Sequence, residues 1–192
     1  MPEVDDDLRL AEAMLFAAAA PVSVRALGQL LSVTADPDTV LAALVARYAG
    51  RGVELVEVAE GWQFRTAPDL GPRLRKVVQV PRRLPRAAME VLAIIAYHQP
   101  ITRAEIEDLR GTTLSQVTID ALLEAGLMAS VGRRETPGRP TLWGTTTAFL
   151  TQFGLRHLRE LPRREDLLVE PPSRPPPATP ISSGPGSLLP DG

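Results

Sequence analysis

Apolar positions fall into the same order twice along the chain: three helix-like stretches, then two short β-branched and aromatic runs around a turn. In the first copy, residues 8–20 (LRLAEAMLFAAAA) are strong helix formers, with Asp5, Asp6 and Asp7 placed ahead of them where the helix macrodipole favours negative charge. Pro21 ends that helix, Ser23 caps a second one through Leu31, and Asp36-Pro37 gives the cap-then-proline start of a third running to about Tyr48. Gly50 and Gly52 stop it. VELVEV (53–58) and WQFRT (62–66) then flank Glu60-Gly61, the pattern of a hairpin. Residues 69–79 read as a short extra helix, and VPRRLPR (80–86) as a linker.

The second copy opens at Arg86 with AAMEVLAIIAYH, apolar on nearly every face from Val91 to Tyr97. Its alanines and its length favour a helix over a buried strand. Thr102-Arg103-Ala104-Glu105 has the spacing of a capping box, Gly111 ends the helix it starts, and a third helix over about Ser115–Ala125 places Val117, Ile119 and Leu122 inward. A hairpin from Leu127 to Gly144 follows, its tip Arg133–Pro140 built on Pro137-Gly138. TTAFLTQFG is a last helix presenting Phe149, Leu150 and Phe153. Beyond Pro171 the chain is rich in proline and poor in groups that could bury enough apolar area to offset chain entropy.

Three helices and a hairpin in this order spell a winged helix. The segments PVSVRALGQL from Pro21 and PITRAEIEDL from Pro100 share a proline, a β-branched residue and a hydroxyl residue in register, so a tandem duplication is expected. The fold expected is mainly α with small β-hairpins: two tandem winged-helix domains over 1–80 and 87–165, a linker at 81–86, and a disordered, proline-rich tail over 166–192.

Charge and composition narrow the chemistry. The formal net charge is −2, slightly negative over the first 80 residues and slightly positive over the next 80, so the footprint of a dominant nucleic-acid binder is missing. No cysteine is present, which leaves no thiolate metal site or disulfide and suggests the cytoplasm. The acidic N-terminus is unlike a secretory signal, and no apolar run has membrane-spanning length. His98 and His157 are the only imidazole bases and neither lies in a nucleophile motif. No catalytic residue, metal site, cofactor site or small-molecule substrate is expected. DNA reading by the third helices is disfavoured, because that of the second copy carries only Asp120 and Glu124 as charges. Arg133, Arg134 and Arg139 on the wing are the remaining candidates for contact with nucleic acid or an acidic partner, and a DNA-binding transcriptional regulator using them is the rival reading. Protein binding is favoured because residues 10–20 and 91–97 are apolar almost all round, where a small domain needs one stripe. Leu10, Met14 and Leu15 are the expected self-association patch, since a two-fold interface needs one patch only.

The motifs AY-x-QPITR-x-EIE-x-RG, GR-x3-PGRP and GTT-x2-FL-x2-FGL, in this order over residues 90–162, closely resemble the bacterial segregation and condensation protein B family. EAMLFAAAAPVS and GWQFRT extend the resemblance to about residue 8. It implies a non-enzymatic subunit of the SMC condensin-like complex, a homodimer joined through the first winged units. Its second units would bind the central region of the kleisin, segregation and condensation protein A, and through it the SMC ATPase, in chromosome condensation and partition at the nucleoid. Contact with DNA would be indirect or weak. On that basis Tyr97 and Leu109 are expected to form the apolar kleisin surface, with Arg103 and Arg110 either at its rim or in intramolecular salt bridges. Where the family usually has a hydrophobic-Asn-Ser type turn after the Arg-Gly pair, this chain has TTLSQVT, which puts in question the contacts made by the start of the third helix.

Overall fold

A computed structural model describes residues 2–74 and 84–163. The chain divides into a unit Met1–Leu161 and a unit Pro162–Gly192. Of the second, only Pro162 and Arg163 are described; the expected tail and residues 81–83 of the expected linker lie outside the described residues.

Two hydrophobic cores with no residue in common organise the first unit. The first is built by α1 (Pro2–Ala17), α2 (Val24–Gly28), α3 (Pro37–Tyr48) and a hairpin of β1 (Val53–Val58) and β2 (Gly61–Thr66). Ala11, Leu15, Leu27, Leu41, Leu44 and Leu55 meet inside it. The four-residue α4 (Gly71–Leu74) follows after a 3-10 turn at Pro68–Leu70. The second core is built by α5 (Arg86–His98), β3 (Ile101–Thr102), α6 (Arg103–Arg110), α7 (Gln116–Glu124), β4 (Met128–Arg133), β5 (Thr141–Thr145) and α8 (Thr147–Phe153). Its three strands are antiparallel in the order β3-β5-β4, the sheet of a winged helix.

The two halves correspond at the level of single residues. Ile101 pairs with Trp143 in β5, and Val22 exchanges both backbone hydrogen bonds, each 2.8 Å, with Trp62 in β2. The residue after each, Ser23 or Thr102, caps the helix that follows. Thr102 and Glu105 complete the capping box.

Several elements differ from the sequence expectation. α1 begins at Pro2 and ends at Ala17, so the acidic residues lie within the helix. Asp7 is buried and bonds the backbone N–H (2.9 Å) and hydroxyl (2.5 Å) of Ser32, tying α1 to the loop before α3. α2 stops at Gly28 instead of Leu31. The hairpin loop is Ala59-Glu60, with Val58 opposite Gly61. Gly61 belongs to the strand because a Cβ there would lie 3.0–3.1 Å from Pro21 and the backbone of Val22. Val117 is 78% exposed: it stands two residues from buried Ile119, roughly 200° round the helix. Arg86, placed in the linker by sequence, is the first residue of α5.

Candidate functional site

The inward stripe of α1 is Ala11 and Leu15, four residues apart, with Leu8 and Met14 packed beside it. Leu15 is only 2% exposed and therefore belongs to the core rather than to a patch open to a partner. Met14 is half-buried against the same core, and of the three residues expected to self-associate only Leu10 is exposed. The opposite stripe carries Arg9, Glu12, Ala13 and Phe16, and Phe16, which sequence reasoning missed, is 84% exposed. These four line a groove of about 640 Å³ together with Arg47 and Tyr48 from the end of α3 and Val53 and Phe64 from the hairpin. The aromatic floor is fixed: the Tyr48 and Phe64 rings are 4.6 Å apart, and the Tyr48 hydroxyl donates to Glu12, whose carboxylate raises the phenol above its ordinary pKa. Arg47 lies 3.8 Å from the same carboxylate. The groove thus presents apolar surface bordered by charges of both signs.

The second half spreads its expected contact residues over two places. Tyr97 lies with Met89, Ala93, Phe149 and Phe153 along an almost wholly apolar groove of about 120 Å³ between α5 and α8. Leu109, 54% exposed, lines a different and more polar depression of about 400 Å³ with His98, Pro100, Asp108 and Arg134. Arg103 and Arg110 have intramolecular partners. Arg103 donates to the Leu114 carbonyl, to Glu107 (3.1 Å) and to Gln116 (3.3 Å), holding the α6–α7 turn. Arg110 reaches Glu90 at 3.7 Å.

Of the wing arginines, Arg134 meets Glu105 at 2.8 Å and so pins the wing to the start of α6. Glu105 is held below its usual carboxylate range first by the Thr102 backbone N–H and hydroxyl, and then by Arg134. Arg133 and Arg139 are exposed at the tip. α7 offers only Asp120 and Glu124 as charges, both exposed, a poor surface for phosphates. Among the described residues no group of three or more His, Cys, Asp or Glu is arranged to hold a metal ion, and no helix is long and apolar enough to cross a membrane.

A profile of the family described as "Segregation and condensation complex subunit ScpB" matches residues 9–164. The chain is 44% identical over 163 residues to segregation and condensation protein B of Desulforamulus reducens, covering 83% of this chain and 90% of that protein. It is 42% identical over 173 residues to the protein of the same name from Bacillus subtilis, covering 84% and 86%. The crystal structure of ScpB from Mycobacterium tuberculosis is similar at 30% identity and a TM-score of 0.37, covering 79% of this chain and 97% of that one.

Proposed function

The chain belongs to the ScpB family of segregation and condensation complex subunits, and from that premise we propose that it works as a non-enzymatic, dimeric adaptor binding the central region of the kleisin ScpA. Chromosome segregation and condensation follow from the family. The partners, the dimer, the division of labour between the halves and the place at the nucleoid in the cytoplasm are our reading.

The observation that carries it is the exposed apolar surface left over on both halves. Phe16 stands almost fully exposed above an aromatic groove, and Met89, Tyr97 and Phe153 are each about two-fifths exposed around another. Side chains of this size in contiguous exposed patches mark protein contacts. We assign the α1 groove to self-association, since Arg9 and Arg47 beside Asp5 and Glu12 make it complementary to a second copy of itself. The α5–α8 groove, with Tyr97, is assigned to the kleisin, through SMC's bridging subunit ScpA to the SMC ATPase itself. Leu109 on its separate depression is a weaker contact, and Arg103 and Arg110 act mainly by shaping α6.

Co-purification of the intact chain with the central region of its cognate ScpA tests this. Capture that Tyr97→Ser and Phe153→Ser together weaken at least tenfold is expected; capture unaffected by that pair places the kleisin elsewhere. A salt titration separates the rival reading, in which the wing binds DNA: an affinity that is tight at physiological salt and falls steeply with log salt would favour the regulator.

A further inference from the structure

The tip of the first half's hairpin is hooked onto the segment that follows α8 in the second half. Ala59 and Glu60, the two loop residues, both adopt left-handed backbone conformations (φ 50° and 58°). Their N–H groups donate to the carbonyls of Leu155 (2.9 Å) and Arg156 (3.1 Å). Five residue pairs along the hairpin from that loop, opposite Glu54, Arg65 donates through Nη2 to the Thr151 carbonyl at 2.7 Å. Its Nη1 sits where a side chain at Gly154 would collide, 3.0 Å from an added Cβ. Arg156 in turn spans Glu57 of β1 at 3.7 Å and Glu160 at 2.5 Å.

Two further features distinguish this seam from a packed interior. Neither core contributes a residue to the other. Beside the hairpin lies a cavity of about 230 Å³ lined by Glu54, Val56, Glu57, Arg65, Thr66 and Pro68 of the first half and by Gly154 at the end of α8. A boundary held by charge-assisted and backbone hydrogen bonds is one that water can replace, since each group finds an equivalent partner in solvent. The loop residues are also not the Asn-Gly type that such a two-residue turn prefers, so the hairpin tip gains little by staying in place without its carbonyl partners.

We propose that this seam is a releasable latch: the Ala59-Glu60 tip and Arg65 on one side, the carbonyls of Thr151, Leu155 and Arg156 on the other, hold the two halves closed and let go as a unit. Leu155 supplies only its carbonyl to the latch, because its side chain packs on the second core. Opening therefore changes the span between the α1 groove and the α5–α8 groove while leaving each core intact.

The chain has no cysteine, so Asp38→Cys on α3 and Asp120→Cys on α7, both exposed and outside the latch, can carry spin labels for a distance measurement in the full chain. Diluting labelled protein into excess unlabelled chain keeps the distances within one molecule. A single narrow distance is expected with the latch intact, and a broader distribution with a longer mean when Arg65→Ala and Arg156→Ala are added. Should that pair lose its cooperative thermal transition, Glu57→Gln with Arg65→Gln, which keeps the side-chain stems, is expected to shift the distribution the same way to a smaller extent. A distribution that stays at the parent's narrow distance in the folded variant, or a parent that is already broad, overturns the latch.

Discussion

Gly61 and Gly144 occupy places where a single methyl group does not fit. A Cβ on Gly61 would meet Pro21 and the Val22 backbone at 3.0–3.1 Å, and on Gly144 would meet Val131 at 2.8 Å and the Gln99 side-chain oxygen at 2.9 Å. Gly61→Ala is expected to destabilise the first half by about 1–3 kcal/mol, the usual range for overpacking, read as a lower denaturation midpoint; an unchanged midpoint would show that Pro21 can move away. Thr102 is constrained differently, buried and engaged with Glu105 through both its backbone and its hydroxyl. Thr102→Ala should lower stability by about 1 kcal/mol through loss of the cap. Glu105 carries a pH signature with a definite sign. Its folded pKa lies below the unfolded value of about 4, so its contribution is fully present above that value and is lost as pH falls through the depressed folded one. The melting-temperature deficit of Glu105→Gln should therefore be constant near neutral pH and shrink as the solution is acidified below about pH 4. A deficit that grows on acidification would reverse the assignment.

At the scale of elements, α1 separates two functions that its composition blends. Leu15→Ala is expected to cost about 2–5 kcal/mol of stability, as for a fully buried leucine, whereas Phe16→Ser, one residue on, should change intrinsic stability by no more than about 0.5 kcal/mol and shift the protein towards monomer. Denaturation read beside sedimentation checks both, and a Phe16→Ser chain that associates like the parent would remove α1 from the interface. The same helix shows where the sequence was legible and where it was not. Its existence, the Ser23, Asp36 and Thr102 caps, and both hairpins could be read directly, because capping and alternation are local properties of a few residues. Which apolar face looks inward could not, because Ala13 to Ala20 is apolar all round and only contact with Leu27, Leu41 and Leu44 decides. The displaced hairpin turn has a similar cause: Gly61 resembles a turn glycine, yet it answers to a close approach by Pro21, forty residues away in sequence. For Arg103 and Arg110 the spacing allows a rim or an intramolecular salt bridge, and the structure shows the latter, with Glu107 and Glu90; their further partners Leu114 and Gln116 become neighbours only through tertiary packing.

At the scale of the whole molecule, the two cores and two grooves of the described residues and a weak net charge of −2 favour contacts made through shape and apolar area over contacts steered by a strong field. Of the arginines that first suggest nucleic acid, Arg134 is committed to holding the wing on Glu105. The family places this architecture in chromosome segregation and condensation. The central claim, a dimer that carries the kleisin, is tested most directly by light scattering on the intact chain at micromolar concentration, alone and mixed with the central region of its ScpA. The account predicts a mass twice the 20.7 kDa of one chain when alone and a single heavier species in the mixture. A 20.7 kDa monomer that elutes apart from the ScpA segment would contradict it.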